Sequence, residues 1–371
     1  MAPMSIPTTM RAWRHQETGS PIDILSLTDI PVPTLESETS VLIRVSHVAL
    51  HPGTRILLAI VPKWLRKLPA IAETDFSGVV VHVSDKNPSG NFPPGTPVFG
   101  SIPVSSHLRG GQGALAEYIA IESSAITQKP SNSSFAQAAG LSVSAQTAVV
   151  LVDSAKIAPN SKVLINAPCG GVGHFAIQLL RKRNPTARII GICSAANHRL
   201  AKELGCDDTI DYTSFPNSEG QTLTAFLGEH HGETPQDQFD HVFDAHGNQD
   251  LWEASPKYLK SGPDHPFVTV GPKAEHSLSS TPGFFWKVIK NSLLPVCLGG
   301  VPRVYKQVVS FSDAESLAKC RDLAQAGEFM THAGESWSME QALDAYRTAV
   351  SGHSQGKLVV KIWEPQPSEY I

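Results

Sequence analysis

The chain has 371 residues, 41% of them hydrophobic and 17% charged, and a net charge of −4 with 15 histidines counted as neutral. At roughly 150 residues per domain this length implies two hydrophobic cores, and the composition excludes a chain disordered throughout. No Lys/Arg stripe interleaved with aromatics is present, so nucleic acid is not an expected partner.

The first residues, MAPMSIPTTMRAWRHQ, lack the apolar core of a secretory leader. No later stretch approaches the roughly 20 apolar residues needed to span a bilayer. The expected location is cytoplasmic, with no membrane span. From Met10 to about Ser134 short apolar runs (SVLIRVSHVAL, FSGVVVHVS, GTPVFGSI, AEYIAI) alternate with Pro, Gly, Asn and Ser. They predict strands joined by turns, a β-rich domain of barrel or sandwich type. At Ser134 the pattern changes to SFAQAAGLSVSAQTAVVLVDSA, rich in Ala and Leu with helical spacing behind a Ser cap, and a domain boundary is expected there.

Beyond Lys162 the chain alternates. Strand KVLINA precedes helix VGHFAIQLLRKR, strand RIIGIC precedes helix ANHRLAKELG, and a short TIDY follows; then come strand HVFDAHG, helical LWEASPKYLK and strand FVTVG. Strands alternating with helices of this length predict right-handed βαβ units, hence an α/β class with a doubly wound parallel sheet. From about Ser312 two helical segments, SDAESLAKCRDLAQAGEF and SMEQALDAYRTAV, lead to strand KLVVKI, which is free to join the sheet of the first domain.

Between the strand KVLINA and its helix lie Gly170, Gly171 and Gly173 in APCGGVG. Glycines in such a turn let backbone N–H groups approach a pyrophosphate at the positive end of a helix. The spacing is an imperfect GxGxxG, with Ala176 in the last place. At the end of the next strand the residue that would hold an adenosine ribose hydroxyl of NAD is not acidic. Ser194, Asn197 and the nearby Arg199 stand there instead, which favours NADPH; Ser194 and Asn197 also read as caps for the helix that follows. The cysteines, Cys169, Cys193, Cys206, Cys297 and Cys320, show neither CxxC spacing nor a His pair at ligand spacing, and read as reduced structural thiols.

With these residues in view the chain resembles the zinc-free, quinone oxidoreductase-like branch of the medium-chain dehydrogenase/reductase superfamily. The likeness runs through LHPGT (50–54), ETDFSGVV (73–80), GALAEYIAI (113–121), APCGGVG, LGCDDTIDY (204–212), FDHVFDAHG (239–247) and GKLVVKI (356–362). SLLPVCLGGVPRVYKQ looks like fungal enone and quinone reductases. The resemblance implies a GroES-like catalytic domain in two parts, residues 1–135 and 312–371, around a Rossmann NADP(H)-binding domain, residues 136–311. Carried over by position, Gly170, Gly171, Val172 and Gly173 take the pyrophosphate, and Ser194, Asn197 and Tyr212 the 2′-phosphate end. His246 and Gly271 mark strand ends beneath the nicotinamide ribose, and Thr147 reaches toward the nicotinamide. A homodimer through the edge of the Rossmann sheet is also implied.

Departures from the family matter for the chemistry. His51 stands where zinc-dependent members keep a Cys, and no Cys precedes residue 169, so no metal site is expected; a mononuclear site on His51, Glu73 and a further His stays open at this point. Where zinc-free relatives commonly read Asn-Pro-x-Asp, this chain reads His51-Pro52-Gly53-Thr54, and ILLAIVPKWLRKLPAIAE lacks the Tyr that related enoyl reductases use as a proton donor. The expected reaction is hydride transfer from NADPH to the β-carbon of an apolar enone, enal or quinone. His51 is the candidate for oxyanion contact or proton donation, with Lys63 or solvent as other proton sources. The alternative is a protein that keeps NADPH but serves a non-redox (cyclase or dehydratase) or regulatory role. The apolar stretch STPGFFWKVIKNSLLPVCLGG (280–300) is open to three uses: lining a substrate pocket, a dimer contact, or contact with a membrane surface.

Overall fold

The computed structural model describes residues 6–84, 92–216, 220–273, 281–310, 312–352 and 354–370. The described residues divide into two compact units, one within 1–146 and 311–371 and the other within 147–275 and 279–310.

The second unit is built on a six-stranded sheet in which strands Asp208–Asp211, Arg188–Cys193, Lys162–Asn166, His241–Asp244, Phe267–Thr269 and Tyr305–Gln307 lie side by side in that order. All five pairings are parallel. Strands Lys162–Asn166 and Arg188–Cys193 are buried after their first residue; such unbroken apolar runs suit a sheet covered on both faces, where alternation has no use. Leu164, Ile190, Ile192, Val242 and Phe267 join Leu251 and Trp252 in one core. The chain starts at Lys162–Asn166, builds outward to one side, then returns to build the other. The reversal places a crevice at the carboxyl ends of Lys162–Asn166 and His241–Asp244, where doubly wound sheets bind ligands.

The first unit holds a mixed sheet in the order Ala333–Ser338, Lys357–Lys361, Ser40–Ala49, Asp75–Val83, Pro97–Ser101 and Ile126–Gln128, with Tyr118–Glu122 also paired to Ser40–Ala49. A separate three-stranded sheet joins Ser26–Pro31, Thr9–His15 and Ala70–Ile71. The last strand does return to this unit, pairing Val359 with Ala49 and Val360 with Val48. Val41, Ile43, Val45, Phe76, Val80, Val98, Ile119 and Val360 form the core.

Helix Phe135–Ala139, which the change of pattern at Ser134 assigned to the following domain, belongs to the first unit. Ser134 closes a capping box with Gln137, Ser77 Oγ donates to Phe135 O at 2.6 Å, and Ala139 packs with Ala49 and Val359. Gly140 ends that helix, and a second, Val143–Asp153, carries the chain from one unit to the other. LWEASPKYLK is helical only over Gln249–Ala254 before a 3₁₀ turn, Ser255–Lys257, because Pro256 has no N–H to continue the ladder. Helix Pro52–Ile60 was not anticipated from the sequence; Pro52 starts it and the His51 ring caps it.

Candidate active site

The glycine turn of the second unit leaves three backbone donors without partners. Gly170 N–H bonds Ala167 O at 3.1 Å and His174 N–H bonds Gly170 O at 3.1 Å, but among the described residues no acceptor meets the N–H groups of Gly171, Val172 and Gly173. They sit at the start of the eleven-residue helix Gly173–Arg183, where the helix dipole adds positive potential. A Cβ on Gly173 would lie 2.0 Å from Ala167 O, so the loop closes only with glycine there; at Gly170 the nearest protein atom is 3.4 Å away. Packing alone does not demand glycine at 170. Unpaired donors at a helix start, with an open face at Gly170, fit a dinucleotide pyrophosphate.

Beside the loop, Ser194 precedes a 3₁₀ turn, Ala195–Asn197, and Cys169 Sγ donates to Asn197 O at 3.5 Å. The neighbouring Cys169 thiol holds Cys193 below the usual thiol range, against the opposing effect of burial. Tyr212 is exposed on the turn Tyr212–Ser214. Arg199 points to solvent and pairs with Glu203 at 3.6 Å. An acid that the sequence reading passed over stands close by: Asp211, whose carboxylate accepts from Thr213 N–H at 2.9 Å and Thr213 Oγ at 2.7 Å. These bonds and the Ala195 N–H hold it below the usual carboxylate range against the opposing effect of desolvation.

Across the crevice Asp244 organises the strand ends. Its buried carboxylate accepts from Asn166 Nδ2 (2.8 Å), from the N–H groups of His246 (3.1 Å), Gly247 (3.0 Å) and Asn248 (2.7 Å), and from Thr269 Oγ (3.1 Å). Gly271, at φ 100°, donates its N–H to Thr269 Oγ at 3.1 Å. His246 is exposed while its backbone N–H is pinned to Asp244. Thr147 is half-buried on helix Val143–Asp153, the first residue of the second unit.

In the first unit His51 ends a strand and opens helix Pro52–Ile60. Its ring turns back so that Nδ1 accepts the Gly53 N–H at 3.0 Å; a Cβ at Gly53 would strike the ring at 2.6 Å. With Nδ1 an acceptor, the proton resides on Nε2. Burial, and then the charge of Lys357, push the imidazole down to about 3. At neutral pH His51 is therefore a neutral N–H donor, suited to contact with an oxyanion and unsuited to act as an imidazolium acid.

Behind His51 lies a buried polar cluster. Glu73 Oε2 accepts the His51 N–H at 3.1 Å and Oε1 accepts the Tyr346 hydroxyl at 2.6 Å. Lys357 Nζ donates to Leu50 O and Ser144 Oγ, each at 3.0 Å. Burial pushes Glu73 up to about 7, against the pull of Tyr346, the His51 N–H and Lys357; it also raises Asp75 and lowers Lys357. Residues 56–73 hold no tyrosine, and Tyr346, which helix Ala342–Ser351 brings to this cluster, is buried and committed to Glu73. Lys63 is not part of this cluster: its side chain is half exposed and ion-paired with Glu17.

Among the described residues no group of three His, Cys, Asp or Glu side chains is arranged to hold a metal ion, and Glu73 is engaged elsewhere. Of the stretch 280–300, Ser280 lies outside the described residues. Helix Thr281–Leu293 and the turn after it leave Phe285, Trp286, Ile289, Leu293, Val296 and Leu298 exposed. No helix is long and apolar enough to cross a membrane among the described residues.

A family model described as zinc-binding dehydrogenase matches residues 204–360. The medium chain reductase pydE of an Acremonium species is 30% identical over 96% of this chain and 99% of its own. The trans-enoyl reductase poxH of Penicillium oxalicum is 30% identical over 97% of this chain and 100% of its own. The solved quinone oxidoreductase of Coxiella burnetii superposes with a TM-score of 0.74 at 25% identity, covering 95% of this chain and 99% of that one.

Proposed function

The chain belongs to the quinone oxidoreductase-like branch of the medium-chain dehydrogenase/reductase superfamily and is an oxidoreductase using a nicotinamide cofactor, and on that premise we propose that it reduces the C=C bond of an apolar enone or enal, or a quinone, with NADPH and without zinc. The observation that carries this reading is the set of unpaired N–H groups at Gly171, Val172 and Gly173 at a helix start, beside an Arg188–Cys193 strand that ends without an acid.

Gly170, Gly171, Val172 and Gly173 are the residues for the pyrophosphate, Ser194, Asn197 and Tyr212 for the 2′-phosphate, and Thr147 and the strand ends at His246 and Gly271 for the nicotinamide riboside. When bound, the reduced nicotinamide supplies a hydride to the β-carbon of the acceptor. Within the first unit the neutral Nε2–H of His51 is a fixed donor in a half-buried setting that would meet charge developing on an acceptor's oxygen. The proton that completes the reduction comes from solvent, since His51 stays neutral and Lys63 is paired to Glu17. Zinc independence rests on the lack of any Cys before residue 169 and on the engagement of Glu73 by Tyr346. Five free thiols fit a reducing compartment such as the cytoplasm.

Titration with NADPH and NADH followed by an enone and quinone panel tests the assignment. The loop itself is tested by Gly170→Ala and Gly173→Val. Gly170→Ala meets no protein atom closer than 3.4 Å, so it is expected to fold normally and lose NADPH affinity. Gly173→Val forces the loop open and is expected to lower affinity at least about 100-fold through lost pyrophosphate contacts; unchanged affinity in both would remove the loop from the binding site.

A further inference from the structure

Hydride transfer as proposed uses His51 but makes no use of Glu73 and Tyr346 behind it, yet Glu73 is an expensive residue to keep. It is a non-glycine at φ 62°, in the left-handed region where a Cβ crowds the backbone. Its carboxyl is fully buried, and desolvation of a charge is costly without an ion pair. No Lys or Arg among the described residues makes one with it; the polar partners are Tyr346 and the His51 N–H. Glycine at 73 would remove both costs, so folding stability alone does not account for a glutamate here.

What Glu73 holds is the turn that carries His51. One carboxyl oxygen takes the backbone N–H of His51, and the other takes the hydroxyl of Tyr346 from helix Ala342–Ser351. The His51 ring is then fixed by the next turn of chain, through Gly53 N–H on Nδ1, leaving Nε2–H as its free donor. We propose that Glu73 and Tyr346 are a positioning pair for His51: the clasped carboxylate anchors the main chain at residue 51 and so sets the direction in which Nε2–H is presented. This rests on the proposed role of His51 in the reduction.

The pair has a built-in pH dependence. Glu73 is faced by Tyr346, His51, Arg55 from helix Pro52–Ile60, and Lys357 and Asp75 from neighbouring strands. Burial is the largest influence on it and brings its ionisation to about 7. As a carboxylate it accepts from both donors; on taking a proton, one oxygen becomes a donor and the bond to Tyr346 must reverse or break. His51, neutral above about 3, does not titrate in the same range. Presentation of Nε2–H is accordingly best above neutrality and weakens as pH falls through about 7.

The test follows the His51 ring by nuclear magnetic resonance between pH 5 and 9, alongside kcat and KM for NADPH oxidation with 2-cyclohexenone and 1,4-benzoquinone as probes. Wild type is expected to show an inflection in the His51 Nε2–H signal near neutrality and a matching fall in kcat on the acid side. Glu73→Gln keeps the shape but does not ionise and has one acceptor oxygen in place of two, as the protonated acid does; it is expected to abolish the inflection and to flatten the kcat profile at its acid-side level. Tyr346→Phe removes a donor that lowers the carboxyl's ionisation, and is expected to move the inflection to higher pH. Glu73→Gly is expected to fold and to lower kcat about tenfold with NADPH affinity unchanged. An inflection that is absent in wild type or persists in Glu73→Gln overturns the pair, whatever the turnover; so does wild-type kcat in Glu73→Gly. A wild-type inflection abolished in Glu73→Gln, in a protein that oxidises no NADPH with either probe, overturns the reductase reading and leaves the pair standing.

Discussion

His51 illustrates how one side chain can be placed for one role and excluded from another. The Gly53 N–H fixes its tautomer and burial keeps it neutral, so it donates a hydrogen bond but does not deliver a proton as an acid. His51→Ala is expected to lower kcat about 100- to 1,000-fold, as loss of a single oxyanion donor does, with NADPH affinity unchanged by calorimetry; full activity would return His51 to a purely structural role. Glu73 carries a second prediction, on stability. Its carboxyl ionises at about 7 in the folded chain against an ordinary 4.5, so the native state binds the proton more tightly than the unfolded one. The contribution is fully present below about pH 4.5 and is lost as pH rises through about 7, by at most roughly 3 kcal/mol. Urea denaturation of wild type and Glu73→Gln is expected to show the difference between them moving against wild type from pH 5 to pH 8; a constant difference would contradict it. The Glu73–Tyr346 bond spans 273 residues, which is why no local pattern in either segment announced it. The glycine turn could be read because all its parts lie within a few residues.

Elements differ in how clearly their sequences announce them, and the reason is burial. Arg188–Cys193 was legible to the residue because all but its first position are buried. The edge strand Tyr305–Gln307 has the burial pattern of a partly exposed loop, and Ala333–Ser338 is mostly exposed; neither carries an apolar signature that reasoning from the sequence could use. The helix Pro52–Ile60 did have a signal, a proline in its first turn behind a polar cap. It was read only as a family motif. At the same scale, the ends of strands Lys162–Asn166, His241–Asp244 and Phe267–Thr269 are tied together by one carboxylate with five donors, Asp244. Asp244→Asn turns one acceptor oxygen into a donor facing other donors, and is expected to cost about 2–4 kcal/mol in chemical denaturation. A loss below about 0.5 kcal/mol would mean that the strand ends hold without it.

At the scale of the whole molecule, the two kinds of sheet and the return of the last strand to the first unit were expected from the alternation of strands and helices and from the resemblance. The change in composition at Ser134 marks a helix of the first unit; the passage to the second falls inside helix Val143–Asp153, where no turn or change of pattern interrupts the chain. The exposed face of helix Thr281–Leu293 shows nothing in this structure that identifies its occupant. What the molecule does rests on one claim, that the unpaired N–H groups of the glycine turn hold NADPH for reduction of a conjugated acceptor. The most direct measurement is a calorimetric titration of the metal-free protein with NADPH and NADH, followed by the decline of reduced-nicotinamide absorbance on adding an enone or a quinone. Tight, preferential NADPH binding with acceptor-dependent oxidation is the predicted result. Binding without oxidation would contradict the reductase claim in favour of a non-redox or regulatory role, and no binding would contradict the assignment of the loop.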